Sequence, residues 1–101
     1  MNVENKVRLI QPIKRGEEEI TDVALHKPAV GALRGLKLTN VLQMDVNALS
    51  VLLPRITQPS LLPDEVAGLD PADFMSLAGT VVGFFMTPEA KAEAEADLRL
   101  N

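Results

Sequence analysis

Cysteine is absent from the 101-residue chain, which excludes disulfides, thiolate metal sites and thiol catalysis. Tryptophan and tyrosine are also absent, and phenylalanine occurs three times. Most of the stacking platforms that hold single-stranded nucleic acid are therefore missing. Histidine occurs once, at His26. One imidazole gives no His-based triad to argue from proximity and one nitrogen ligand for a metal. No catalytic residue, metal site or cofactor is expected. No apolar run reaches the roughly 20 residues that a membrane span needs. The opening MNVENKVRL has no apolar signal core, so export by that route is not expected. Bases are outnumbered ten to fourteen, for a net charge of −4, which argues against nonspecific nucleic-acid binding.

What is present is enough for one small domain. Hydrophobic residues make up 47% of the chain, an ordinary globular share, so wholesale disorder is not expected. The stretch LDPADFMSLAGTVVGFFM, residues 69–86, has the clearest helix start in the chain. Asp70 suits the cap, Pro71 the first helical position, and Asp73 the positive helix end. Phe74, Leu77, Ala78, Val81, Val82 and Phe85 recur at the spacing of one helical face. Met75, Gly79, Val82 and Met86 form a second apolar line beside it, and no charge stands between Asp73 and Glu89. All three aromatics, Phe74, Phe84 and Phe85, lie here, each worth roughly 1.5–3 kcal/mol when buried.

Such a helix has two uses. Either it is core throughout, since a small domain has few apolar residues to spare, or one stripe serves the core and the other a partner helix. The second use makes Phe74, Met75, Gly79, Val82, Gly83, Phe84 and Met86 the candidate partner-binding residues. The methionines would adapt to varied partners and the glycines would permit close approach.

The first strand is expected over Lys6–Ile13, with Val7 and Leu9 on one face and Arg8 and Ile10 on the other; Pro12 suits an edge. Lys14-Arg15-Gly16-Glu17 reads as a turn, and Ile20–Lys27 as the return strand. Such a hairpin is marginal alone, and the Phe-rich helix is its natural cover. A short helix opens at Pro28, weakened by Gly31 and Gly35. Residues 37–43 give no clear pattern. A second helix starts at Asp45 and buries Val46, Leu49, Leu52, Leu53 and Ile56, with Pro54 ending or kinking it. Gln58-Pro59-Ser60 reads as a connector. Pro63 opens one helical turn that Gly68 stops. Thr87-Pro88 looks like a fresh cap, and Glu89–Leu100 has high helix propensity but little to bury. The fold class is α+β: an N-terminal β-hairpin followed by a small bundle of about four helices.

Other apparent motifs have plainer readings. Glu17-Glu18-Glu19 is a solvated turn, not a calcium loop. Asp64, Glu65, Asp70 and Asp73 resemble a carboxylate pair, yet each is explained as a helix starter. Gly31 to Gly35 lacks a phosphate-loop pattern. A helix-turn-helix drawn through 28–56 would lack a basic recognition face.

Taken in order, certain residues carry a resemblance. They are Val7-Arg8-Leu9 with Pro12-Ile13, Val23-Ala24-Leu25-His26-Lys27-Pro28, and Leu33-Arg34-Gly35-Leu36. Leu53 with Ile56-Thr57, Leu69-Asp70 with Asp73-Phe74, and Val81-Val82 with Phe84-Phe85 follow. From about Lys6 to Met86 the chain resembles the small tail assembly chaperones of contractile-tailed phages, the Mu-like group in particular. His26 stands where that pattern has Arg, and Ala32 where it has an acid. The resemblance implies a non-enzymatic protein of the host cytoplasm that binds the tape-measure protein during tail assembly and is absent from the mature virion. It implies one chaperone-like domain over residues 1–86, with the hairpin at 6–27 and helices at 28–86. Residues 87–101 would be an Ala/Glu-rich C-terminal helix or frayed tail. It also implies a form extended by a −1 frameshift as a second partner; Gly83-Phe84-Phe85, whose codons can carry a run of thymines, is the slip site expected from the residues themselves. Homo-oligomerisation is a further possibility, and no nucleic-acid or membrane partner is expected. The alternative is a structural tail adaptor retained in the particle.

Overall fold

A computed structural model describes residues 5–90 and 93. Strands β1 (Asn5–Arg15) and β2 (Glu18–Leu25) form an antiparallel hairpin, with Arg15 opposite Glu18. The two residues between them include Gly16 at φ +64°, the first turn position, where a tight hairpin favours glycine. A short strand that the sequence did not suggest, β3 (Thr57–Gln58), pairs with Ala24 and Leu25 and completes a sheet in the order β1-β2-β3. The segment read as a connector is therefore partly sheet. Its buried Thr57 is satisfied on both sides, donating to the Leu53 carbonyl and accepting from Leu61 N–H.

A single 3-10 turn, Val30–Leu33, replaces the helix expected after Pro28, and it buries none of its residues. The unpatterned stretch resolves into helix α1 (Leu38–Leu42), anchored by fully buried Val41. Helix α2 (Val46–Ile56) starts where expected, with the Asp45 carboxylate accepting from Ala48 N–H at 2.9 Å. Its buried side is Ala48, Leu49, Leu52, Leu53 and Ile56. Val46 is instead 54% exposed, because the first turn of α2 reaches past the core. Pro54 does not end the helix, which runs on to Ile56. In the last turn the proline deprives only the Ser50 carbonyl of its donor.

Helix α3 (Pro63–Ala67) is the single turn expected between Pro63 and Gly68. Its Glu65 reaches back to the Leu62 N–H at 2.9 Å, half of a capping box. Helix α4 (Pro71–Phe84) begins with Asp70 accepting from Ala72 N–H. The core gathers Leu9, Ile20, Val23 and Leu25 of the sheet with the buried sides of α2 and α4. After α4, Ala90 N–H bonds the Thr87 hydroxyl, a cap at the position expected. The remainder of the C-terminal helix or tail, 91, 92 and 94–101, lies outside the described residues, as does the leader 1–4.

Helix α4 is fastened to the sheet by a carboxylate. Four residues of β1, Leu9–Pro12, face the single residue Thr21 of β2, so the ladder is interrupted there. The backbone donors of such a bulge need other acceptors. Asp73, 1% exposed, accepts from Ile10 N–H at 2.8 Å and Gln11 N–H at 3.0 Å, while Pro12 has no N–H to satisfy. Asp73 is thus more than a helix starter.

Candidate interaction surface

The two apolar lines predicted on α4 separate in the structure. Leu77, Ala78 and Val81 are fully buried, and Phe74, Phe84 and Phe85 pack partly buried against the core. Met75 is 55% exposed, Gly79 and Met86 are exposed, and Val82 and Gly83 are half-buried. Met86 lies just past the end of the helix.

Two grooves flank this helix, and Met75 lines both. The larger, about 620 Å³, runs between the N-terminal half of β1 and the outer side of α4. Lys6 and Arg8 stand on its strand side, and Gly79, Thr80, Gly83 and Phe84 on its helix side. A Cβ added at Gly79 would meet nothing within 4 Å, so no contact inside the molecule requires a glycine there. The smaller groove, about 300 Å³, lies where α2, α3 and α4 meet and is apolar: Val46, Val66, Ala67, Leu69, Pro71, Phe74 and Met75. Of the candidate residues, Gly79, Gly83 and Phe84 fall in the first groove and Phe74 in the second. Val82 and Met86 line neither. The strand residues of the first groove, and Val46 and Leu69 in the second, escaped the sequence reading. The alternation of β1 shows which way Arg8 points but not which helix it meets.

Arg15 and Glu65 link β1 to α3. The guanidinium donates to both carboxylate oxygens, at 3.0 Å from Nε and 2.6 Å from Nη2, and Nη2 also reaches the Ser60 carbonyl. The hydrogen bond from Arg15, with that from Leu62 N–H, lowers the Glu65 pKa below the ordinary carboxylate value, and the same contact raises that of Arg15. Arg8 and Asp22 pair across the hairpin in a solvent-exposed contact. Among the described residues, no cluster of His, Cys, Asp and Glu is placed to hold a metal, and no helix is long and apolar enough to cross a membrane. The first groove is mixed, with Lys6, Arg8, Ser76 and Thr80 beside Val7, Met75 and Phe84, and the second is apolar.

Residues 6–86 match the family described as phage tail assembly chaperone proteins, E, or 41 or 14. Tail assembly protein E of Escherichia phage P2 is 50% identical over 84 residues, covering 83% of this chain and 92% of that protein. Tail assembly protein E′ of the same phage is 49% identical over 86 residues, covering 85% of this chain but 61% of E′. The chain therefore spans less than two thirds of the length of E′. Both relatives are from phage P2, which moves the expected Mu-like kinship to a P2-like one within the same family. No solved structure matches the chain.

Proposed function

The chain belongs to the phage tail assembly chaperone family, and we propose that it binds the tape-measure protein and keeps it soluble during tail assembly, without catalysis. The observation that carries this reading is the groove between β1 and α4. Gly79 costs a helix interior roughly 0.5–1 kcal/mol relative to alanine. It satisfies no internal contact in return. A glycine held at that cost on an open helix face suits the close approach of another helix. Met75 and Phe84 supply adaptable apolar contact beside it. Val82, near the end of the helix, and Met86, just past it, would extend the contact.

Individual contacts can be weak, because several copies on one long client add up. The net charge of −4 keeps a chaperone–client complex soluble. Because the matched stretch is nearly all of E but a smaller share of E′, E′ is the longer of the two. This supports a short and an extended form of the chaperone, the extended one made by frameshifting near Gly83-Phe84-Phe85. The working compartment is the host cytoplasm, and mass spectrometry of finished particles should find the protein missing; a stoichiometric virion component would be an adaptor instead.

The test is co-expression with the tape-measure protein of the same phage. The client should partition to the soluble fraction with the wild-type chain and far less with Gly79→Gln, which fills the groove without touching the core. A client equally soluble with and without the chaperone would refute the reading.

A further inference from the structure

The groove between β1 and α4 differs in charge from the chain that carries it. The chain has a net charge of −4. Yet Lys6 and Arg8 line this groove, and no acid does. Both bases are exposed. Lys6 enters neither of the two ion pairs found among the described residues. Arg8 gives only its Nε to Asp22, at 3.0 Å, and its side chain is 79% exposed, so its terminal nitrogens stay open to a second carboxylate. The helix side of the groove has a four-residue period. Met75, Gly79 and Gly83 form one row along α4, and Ser76, Thr80 and Phe84 the next. The two glycines make most of the first row a lane without side chains, of the kind into which a row of side chains on another helix packs. The Thr80 hydroxyl donates to the Ser76 carbonyl at 3.0 Å, so the charged donors of the groove stand on the strand side alone.

We propose that the occupant is an amphipathic helix of the client with two adjoining rows: apolar residues four apart that lie in the Gly79 lane, and carboxylates four apart that meet Lys6 and Arg8. This rests on the client reading above and adds what the client must present. Two residues along a strand advance about 6.4–6.8 Å, and four along a helix about 6 Å, so one pair of helix carboxylates can face both bases at once. A helix that carries carboxylates is repelled by the negative chain at large and accepted at its basic groove. Charge then places the client and fixes its register, while the lane supplies the apolar contact.

Overlapping peptides of about 25 residues from the tape-measure protein of the same phage, long enough to form helix, test it by titration with the full chain, followed by the fluorescence anisotropy of a label on the peptide. The peptides bound should be those with carboxylates four apart beside an apolar row, and circular dichroism should show them gaining helix on binding. Lys6→Glu should weaken binding about threefold to tenfold, and about 0.5 M salt should narrow that gap. Lys27→Glu makes the same change in net charge at an exposed residue outside the groove, and should weaken binding less than about twofold. Replacing the peptide carboxylate that meets Lys6 by Lys should restore binding to the Lys6→Glu chain. Peptides that are blocked by Gly79→Gln but indifferent to Lys6→Glu, or that bind as strands, would overturn this inference and leave the client reading standing. If no peptide binds and the client stays insoluble in co-expression, both fall.

Discussion

Replacing Asp73 by Asn should unfasten α4 from the sheet while barely changing side-chain volume. The carboxylate accepts two backbone N–H groups, at 2.8 and 3.0 Å, in a site 1% exposed. Each hydrogen bond to a charged acceptor contributes about 1.5–3 kcal/mol. The amide of Asn accepts one of the two N–H groups and turns its own NH2 toward the other. One bulge donor then loses its acceptor, and the remaining bond loses its charge assistance. The expected loss is about 2–4 kcal/mol, a large part of the roughly 5–15 kcal/mol that holds a domain of this size. At about 4–8 °C per kcal/mol, Tm should drop by at least about 8 °C. Far-ultraviolet circular dichroism follows the melt in a chain without Trp or Tyr. Hydrogen exchange should show the amides of Ile10 and Gln11 losing protection before the rest of β1. A Tm within about 3 °C of wild type, with both amides still protected, would refute the role assigned to this carboxylate.

Further changes separate the other contacts. The lowered Glu65 pKa means that its ion pair with Arg15 stabilises the fold above the unfolded pKa and that this contribution is lost as pH falls through the folded value. Glu65→Gln should therefore melt below wild type at neutral pH, with the two curves converging in acid; a gap that widens in acid would contradict the pairing. Gly79→Gln should raise Tm by a few degrees, since its Cβ enters open space on a helix face, while reducing client solubilisation. Loss of both stability and solubilisation would mean that the groove is packed from within. Gly16→Val should cost about 1–2 kcal/mol at φ +64°, read as a lower urea midpoint with unchanged slope.

The parts of the fold legible in the sequence are those set by local chemistry. The hairpin turn at Gly16, the Asp45 cap, the stop at Gly68 and the Asp70-Pro71 start of α4 each depend on a few adjacent residues, and the structure contains all four. Features set by distant partners were not legible. Two-residue β3 exists because Ala24 and Leu25 offer it a ladder, and Thr57-Gln58 gives no sign of that alone. Asp73 reads as a helix starter because that role is local; its bonds to Ile10 and Gln11 reach across more than 60 residues. The periodicity of α2 places Val46 with the buried residues, but periodicity cannot tell where the core stops along a helix. The same limit applies to α4, where the apolar lines were visible and the β1 wall beside them was not.

Hydrogen exchange of the chain alone and bound to the tape-measure protein measures the central claim at its source. Binding should add protection at Ser76–Phe84 and Lys6–Arg8, the two walls of the groove that is open in the free chain. A stable complex that leaves those amides unchanged, or the absence of any complex at concentrations where the client stays soluble, would contradict it.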